Sequence, residues 1–124
     1  VLPSLATPGA VVLVAVGLLA AAPGLGAAAA NPAWTAYADC AGAYVANARV
    51  ADPDRPATMT GQMSDVAQDY AKAARARYRH ERKAGASAAQ SAVSARIEST
   101  ARRLSAQPRE AAEKLIDACP QPDG

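Results

Sequence analysis

Cys40 and Cys119 lie near opposite ends of the chain that follows an apolar leader, so a bond between them would close a loop of nearly the whole remaining domain. The leader is the reason to expect that bond. Residues 10–22 form an apolar run, Pro23 and Gly24 break it, and small residues with an A-x-A pattern at Ala28 and Ala30 follow. That is the layout of a secretory signal peptide, with cleavage expected before Asn31. The run is shorter than the roughly 20 residues a helix needs to cross a bilayer. An exported protein meets an oxidising compartment, where an even pair of cysteines is normally a disulfide. A redox-active pair would instead show C-x-x-C spacing.

The leader departs from the pattern in one respect. No Lys or Arg precedes the apolar run, and the first charged residue is Asp39. The alternative is an uncleaved anchor over residues 10–30, which Pro23, Gly24 and Gly26 and a weakly apolar alanine end disfavour. Cys40 follows Tyr37-Ala38-Asp39 and lacks the small and aliphatic residues of a lipidation box. The expectation is therefore a signal at residues 1–30, export to the periplasm or beyond it, and one domain over residues 31–124.

About 94 residues suffice for one modest core. The sequence is 51% hydrophobic, but 4% is aromatic and phenylalanine is absent, so alanine supplies much of the apolar content. Such a chain buries many small side chains, which favours helices packed close together. Four helices are predicted: three longer ones and a short C-terminal one, all-α, with the disulfide joining the first to the last.

Asn31-Pro32 reads as an N-cap followed by proline at the first helical position. The first helix then carries an apolar stripe of Trp34, Tyr37, Ala41, Tyr44, Val45 and Ala48. Two prolines and two aspartates over residues 51–56 turn the chain. The second helix, residues 56–84, places Met59, Met63, Val66, Tyr70 and Ala74 inward and stops at Gly85. Ser87 and Gln90 have capping-box spacing for the third helix, whose inner face is Ala89, Val93, Ile97, Ala101 and Leu104. A tight turn at Gly85-Ala86 would pair Tyr78 with Val93, Ala74 with Ile97, Tyr70 with Ala101 and Val66 with Leu104. Pro108 opens the last helix, with Ala111, Leu115 and Ile116 inward, and residues 120–124 should fray.

The inventory for chemistry is thin. His80, the sole histidine, sits among cations in Arg79-His80-Glu81-Arg82-Lys83, with no nucleophile placed beside it by local sequence. Both cysteines are committed to the disulfide and no His pair exists, so no metal site or cofactor is expected. Met59 and Met63 have the spacing of a thioether pair for copper(I), which is equally that of two core positions on one helix face. A catalytic site would have to be assembled in space, and an enzyme is not expected.

What stands out is a ladder of cations in the second helix: Lys72, Arg75, Arg79, Arg82 and Lys83. At about 100° per residue they share an arc of roughly 100°, nearly opposite the apolar face. Such a face suits anionic lipid head groups, an anionic cell-wall polymer or an acidic partner. It equally suits solvent, since cations near a helix C-terminus complement the helix dipole, and Asp65, Asp69 and Glu81 dilute the field. The apolar side belongs to the core, leaving no wedge for lipid tails. A net charge of +2 is too weak to argue for nucleic acid. The sequence thus points to a non-enzymatic exported interaction or structural module, with anionic-surface binding through the basic face as the alternative.

Overall fold

The computed structural model describes residues 32–50 and 52–122; the leader and its cleavage point lie outside the described residues. Four helices follow one another: α1 (Trp34–Arg49), α2 (Ala57–Arg82), α3 (Ala86–Ser105) and α4 (Arg109–Asp117). No strand occurs among the described residues. The all-α arrangement, with three longer helices and a short last one, is the one the sequence predicts.

α1 is the hub. It packs on α2, α3 and α4, whereas α4 touches only α1 and α3. Its residues Tyr37, Ala38, Cys40, Ala41, Gly42, Ala43 and Ala46 are all buried, so the predicted single stripe understates its burial. Small side chains make this possible, because they let neighbouring helices approach from several directions. Two apolar clusters result. Tyr37, Ala38, Cys40 and Ala41 of α1 meet Tyr70 and Ala74 of α2 and Val93 of α3. Further along α1, Ala43 and Ala46 meet Ala101 and Leu104 of α3 and Ala112 of α4.

These clusters correct the predicted hairpin register. Tyr78, Ala74, Val93 and Ile97 share one cluster, as expected near the turn. Ala101 and Leu104 belong instead to the other cluster, with α1 and α4, away from Tyr70 and Val66. α2 and α3 therefore diverge from their turn with α1 lodged between them, and Ile97 is only half-buried. Met59 is also misplaced by the sequence reading. It is 46% exposed because the 26-residue α2 outruns the 16-residue α1 that would have covered it.

Helix ends depart from the predicted caps. α1 begins at Trp34 with Ala33 as N-cap, and Pro56 and Pro108 are N-caps rather than first helical residues. The turn after α2 is made by Lys83 in the left-handed conformation (φ 51°), and Gly85 is the extended N-cap of α3. Ser87 is thereby inside the helix, and its capping box does not form. Long-range bonds replace the missing local caps of α1. The Trp34 N–H donates to Glu81 Oε2 at 3.1 Å, and Arg55 Nη1 donates to the carbonyls of Asn47 and Val50 at 2.9 and 3.3 Å. A carboxylate at the N-terminus and a guanidinium at the C-terminus both match the helix dipole.

The disulfide joins Cys40 in α1 to Cys119, two residues beyond α4, with Cα atoms 6.0 Å apart. The next residue is also held, because the Tyr70 hydroxyl donates to the Pro120 carbonyl. The predicted fraying therefore does not extend to Pro120.

α1 and α3 are joined by polar bonds as well. Asp39 Oδ1 accepts from Arg96 Nε and Thr100 Oγ1, each at 2.7 Å, and Oδ2 accepts from Arg96 Nη2 at 2.9 Å. Burial pushes the Asp39 carboxyl up, but the hydrogen bonds from Arg96 and Thr100 and the charge of Arg96 outweigh it and hold its pKa below the ordinary value. A depressed folded-state pKa contributes stability that is complete above the unfolded value, near 3.9, and lost as pH falls through the folded value. Urea unfolding from about pH 5 down to about pH 2 should show this loss, and Asp39→Asn should flatten it. An acid limb of unchanged slope in the variant would remove Asp39 from the account.

Candidate functional site

The basic ladder lies on the outer face of α2, away from its buried residues Ala67, Tyr70 and Ala74. Lys72, Arg79, Arg82 and Lys83 are exposed. Arg75 is half-buried, on the flank nearest Ala71 and Tyr78, which are partly buried against the core. From Lys72 to Lys83 the ladder runs roughly 16 Å along the helix, at 1.5 Å per residue.

Ion pairing divides the cations of this domain, and Arg103 and Lys114 share with the ladder the lack of a partner among the described residues. Arg49 pairs with Glu98 at 3.0 Å, Arg96 with Asp39 at 2.7 Å and Arg109 with Asp52 at 3.1 Å, and each pair joins separate segments of the fold. Among the described residues, none of the five ladder cations forms an ion pair within 4.0 Å. Glu81, which dilutes the ladder on paper, faces the other way. Its Oε2 receives the Trp34 N–H and lies 3.4 Å from Arg77 Nη2. The negative charge nearest the centre of the ladder is thus spent on the α1 N-terminus, and Asp65 and Asp69 stand toward the other end of α2.

Two ladder residues have their own local geometry. The Arg82 guanidinium lies over the Tyr78 ring at 5.6 Å from its centroid, and Tyr78 meets Trp34 edge-to-face at 5.0 Å. This stack ties the end of α2 to the start of α1. Lys83 occupies a backbone conformation that costs a side-chain-bearing residue about 1–2 kcal/mol relative to glycine's freedom there. Lys83→Gly should raise stability by roughly 1 kcal/mol while weakening any anion contact through the lost charge. Thermal unfolding would check the first half, and a lower midpoint would contradict it.

A cleft of about 490 Å³ adjoins the ladder, lined by Asp69, Lys72, Ala73 and Ala76 of α2 and by Gln121 and Pro122 of the C-terminal segment. Lys72 belongs to both features. Sequence reading missed this cleft because it left the tail loose; the inward position of Tyr70, whose hydroxyl needs a partner when buried, was the available signal.

The other sequence candidates are not brought together. His80 is exposed, Met59 is exposed and Met63 is half-buried. Among the described residues there is no group of three His, Cys, Asp or Glu side chains that could hold a metal ion. Comparison with protein families, curated proteins and solved structures finds no match to this chain.

Proposed function

We propose that this is an exported, non-enzymatic interaction module that engages an anionic surface or polymer through the basic face of α2. The observation that carries this reading is the unpaired ladder Lys72, Arg75, Arg79, Arg82 and Lys83, with Glu81 turned toward α1. Arg49, Arg96 and Arg109 fasten separate segments together through ion pairs, whereas the ladder cations enter none among the described residues and only Arg82 has a packing role, on Tyr78. Export is supported by the disulfide and the leader, and no helix among the described residues is long and apolar enough to cross a membrane.

Each basic residue near an anionic surface contributes about 1 kcal/mol, so five give at most about 5 kcal/mol. A single contact is then weak, in the range of about 0.1–1 mM, and gains strength only on a repetitive target. Replacing Arg75, Arg79 and Arg82 by Gln should abolish low-salt retention on an anionic polymer. The variant should stay folded, losing about 1–2 kcal/mol of stability from three helix charges and the Arg82–Tyr78 stack. Undiminished retention by the triple variant would refute the reading.

A further inference from the structure

We infer that the cleft beside the ladder seats an uncharged hydroxylated ring of a linear anionic glycan, one in which such rings alternate with anionic groups. The inference rests on the proposed function and gives the anionic target a chemical class. Its first support is continuity. Lys72 lines the cleft and begins the ladder, and Ala76, also in its wall, lies one turn from both Lys72 and Arg79. A chain with its charges along Lys72, Arg75 and Arg79 would pass the cleft mouth.

The second support is the chemistry of the walls. The Ala73 and Ala76 methyls and the Pro122 ring are apolar, whereas Asp69 accepts, Lys72 donates and Gln121 does both. Apolar surface with hydrogen-bonding groups around it matches a sugar ring, which presents C–H faces and peripheral hydroxyls. Asp69 and Lys72 place one charge of each sign in the wall, so the cleft presents no net charge to its occupant. The moiety there is therefore neutral, while the charge sits on the ladder. About 490 Å³ falls within the range of small-molecule sites. The wall formed by the C-terminal segment is fixed at its base by the Cys40–Cys119 bond and the Tyr70–Pro120 hydrogen bond. A bilayer fits less well, because flat head groups do not enter a concave cleft and the apolar side of α2 is occupied by the core.

The test compares three immobilised probes at equal anionic charge and low salt: hyaluronan, in which uncharged and carboxylate-bearing rings alternate, inorganic polyphosphate, and phosphatidylglycerol vesicles. The disulfide-bonded mature domain should bind hyaluronan about tenfold more tightly than the other two. Ala76→Met fills the cleft from an exposed helical position, and Gln121→Ala removes an amide without touching a helix. Each should lower hyaluronan binding several-fold and leave polyphosphate binding unchanged. Equal binding to all three probes, or indifference of hyaluronan binding to both variants, would overturn the cleft assignment and leave the basic-face reading standing. Absence of binding to every probe would overturn both.

Discussion

Replacing Cys40 and Cys119 together by alanine should lower the unfolding free energy by about 4 kcal/mol. The two positions are separated by 79 residues, and the chain-entropy relation for a loop of that length gives about 4.5 kcal/mol. The rest of the fold has little to offset such a loss. Its core is built mainly of alanines, and Val93 is the only large side chain that is less than 2% exposed among the described residues. A small domain of this kind lies toward the lower end of the ~5–15 kcal/mol range, so the double variant should be close to unfolding. The damage should begin locally. α4 has nine residues, too few to persist as an isolated helix, and it rests on Ala43, Ala46 and Leu104 through Ala112, Leu115 and Ile116. Denaturant unfolding gives the total, and amide exchange should show α4 losing protection first. A cost below about 1 kcal/mol would mean that packing alone holds the two ends together.

Gly42→Ala should destabilise the fold, reversing the usual sign of that exchange. In an ordinary helix interior, alanine is favoured over glycine by about 1 kcal/mol. Here a β-carbon would stand 2.7 Å from Thr100 Cβ, 2.8 Å from its Cγ2 and 3.0 Å from the Ile97 carbonyl oxygen. None of those atoms is the far end of a flexible side chain. Thr100 is β-branched, 3% exposed and bonded through its hydroxyl to Asp39, so it has no free rotamer to adopt. α1 and α3 must separate, which strains the Asp39–Arg96 pair as well. Overpacking of this kind costs about 1–3 kcal/mol. An unchanged or raised unfolding midpoint would show that the two helices can part without penalty.

Both effects trace to what the sequence did and did not reveal. The helix count, their order and the cysteine pairing were legible because proline, glycine and apolar spacing are local signals. The role of α1 was less legible. Periodicity finds one apolar stripe, and alanine reads as a helix former whether it is buried or not, so Ala38, Ala43 and Ala46 gave no sign of packing on further sides. Gly42, a glycine inside a helix of good formers, was the one local hint of a close crossing. The far end of the hairpin was misread because pairing by residue sum assumes that two helices stay adjacent, whereas α1 takes the space between them.

The caps show the same limit. Ser87 and Gln90 have capping-box spacing, but Lys83 ends α2 early enough for α3 to begin at Ala86. The bonds that serve the ends of α1 come from Glu81 and Arg55, which local sequence cannot assign. Glu81 matters most for the charge of the basic face. Read along the chain it weakens the ladder, whereas folded it turns toward α1 and leaves Asp69 as the carboxylate beside Lys72. The ladder itself was legible from helical spacing, whereas the adjoining cleft depends on a tail held by Tyr70 and Cys119.

Salt titration of the wild-type domain on an immobilised linear polyanion tests the central claim most directly. If the five cations engage the polymer, the logarithm of the association constant should fall linearly with the logarithm of salt, with a slope on the order of −3. Retention should be nearly gone at physiological ionic strength, where the Debye length is about 8 Å. The Arg75, Arg79 and Arg82 to Gln variant should show a slope shallower by about 2. Retention that is absent at low salt, or present and indifferent to both salt and the triple substitution, would contradict the account and leave the basic face of α2 as solvated surface.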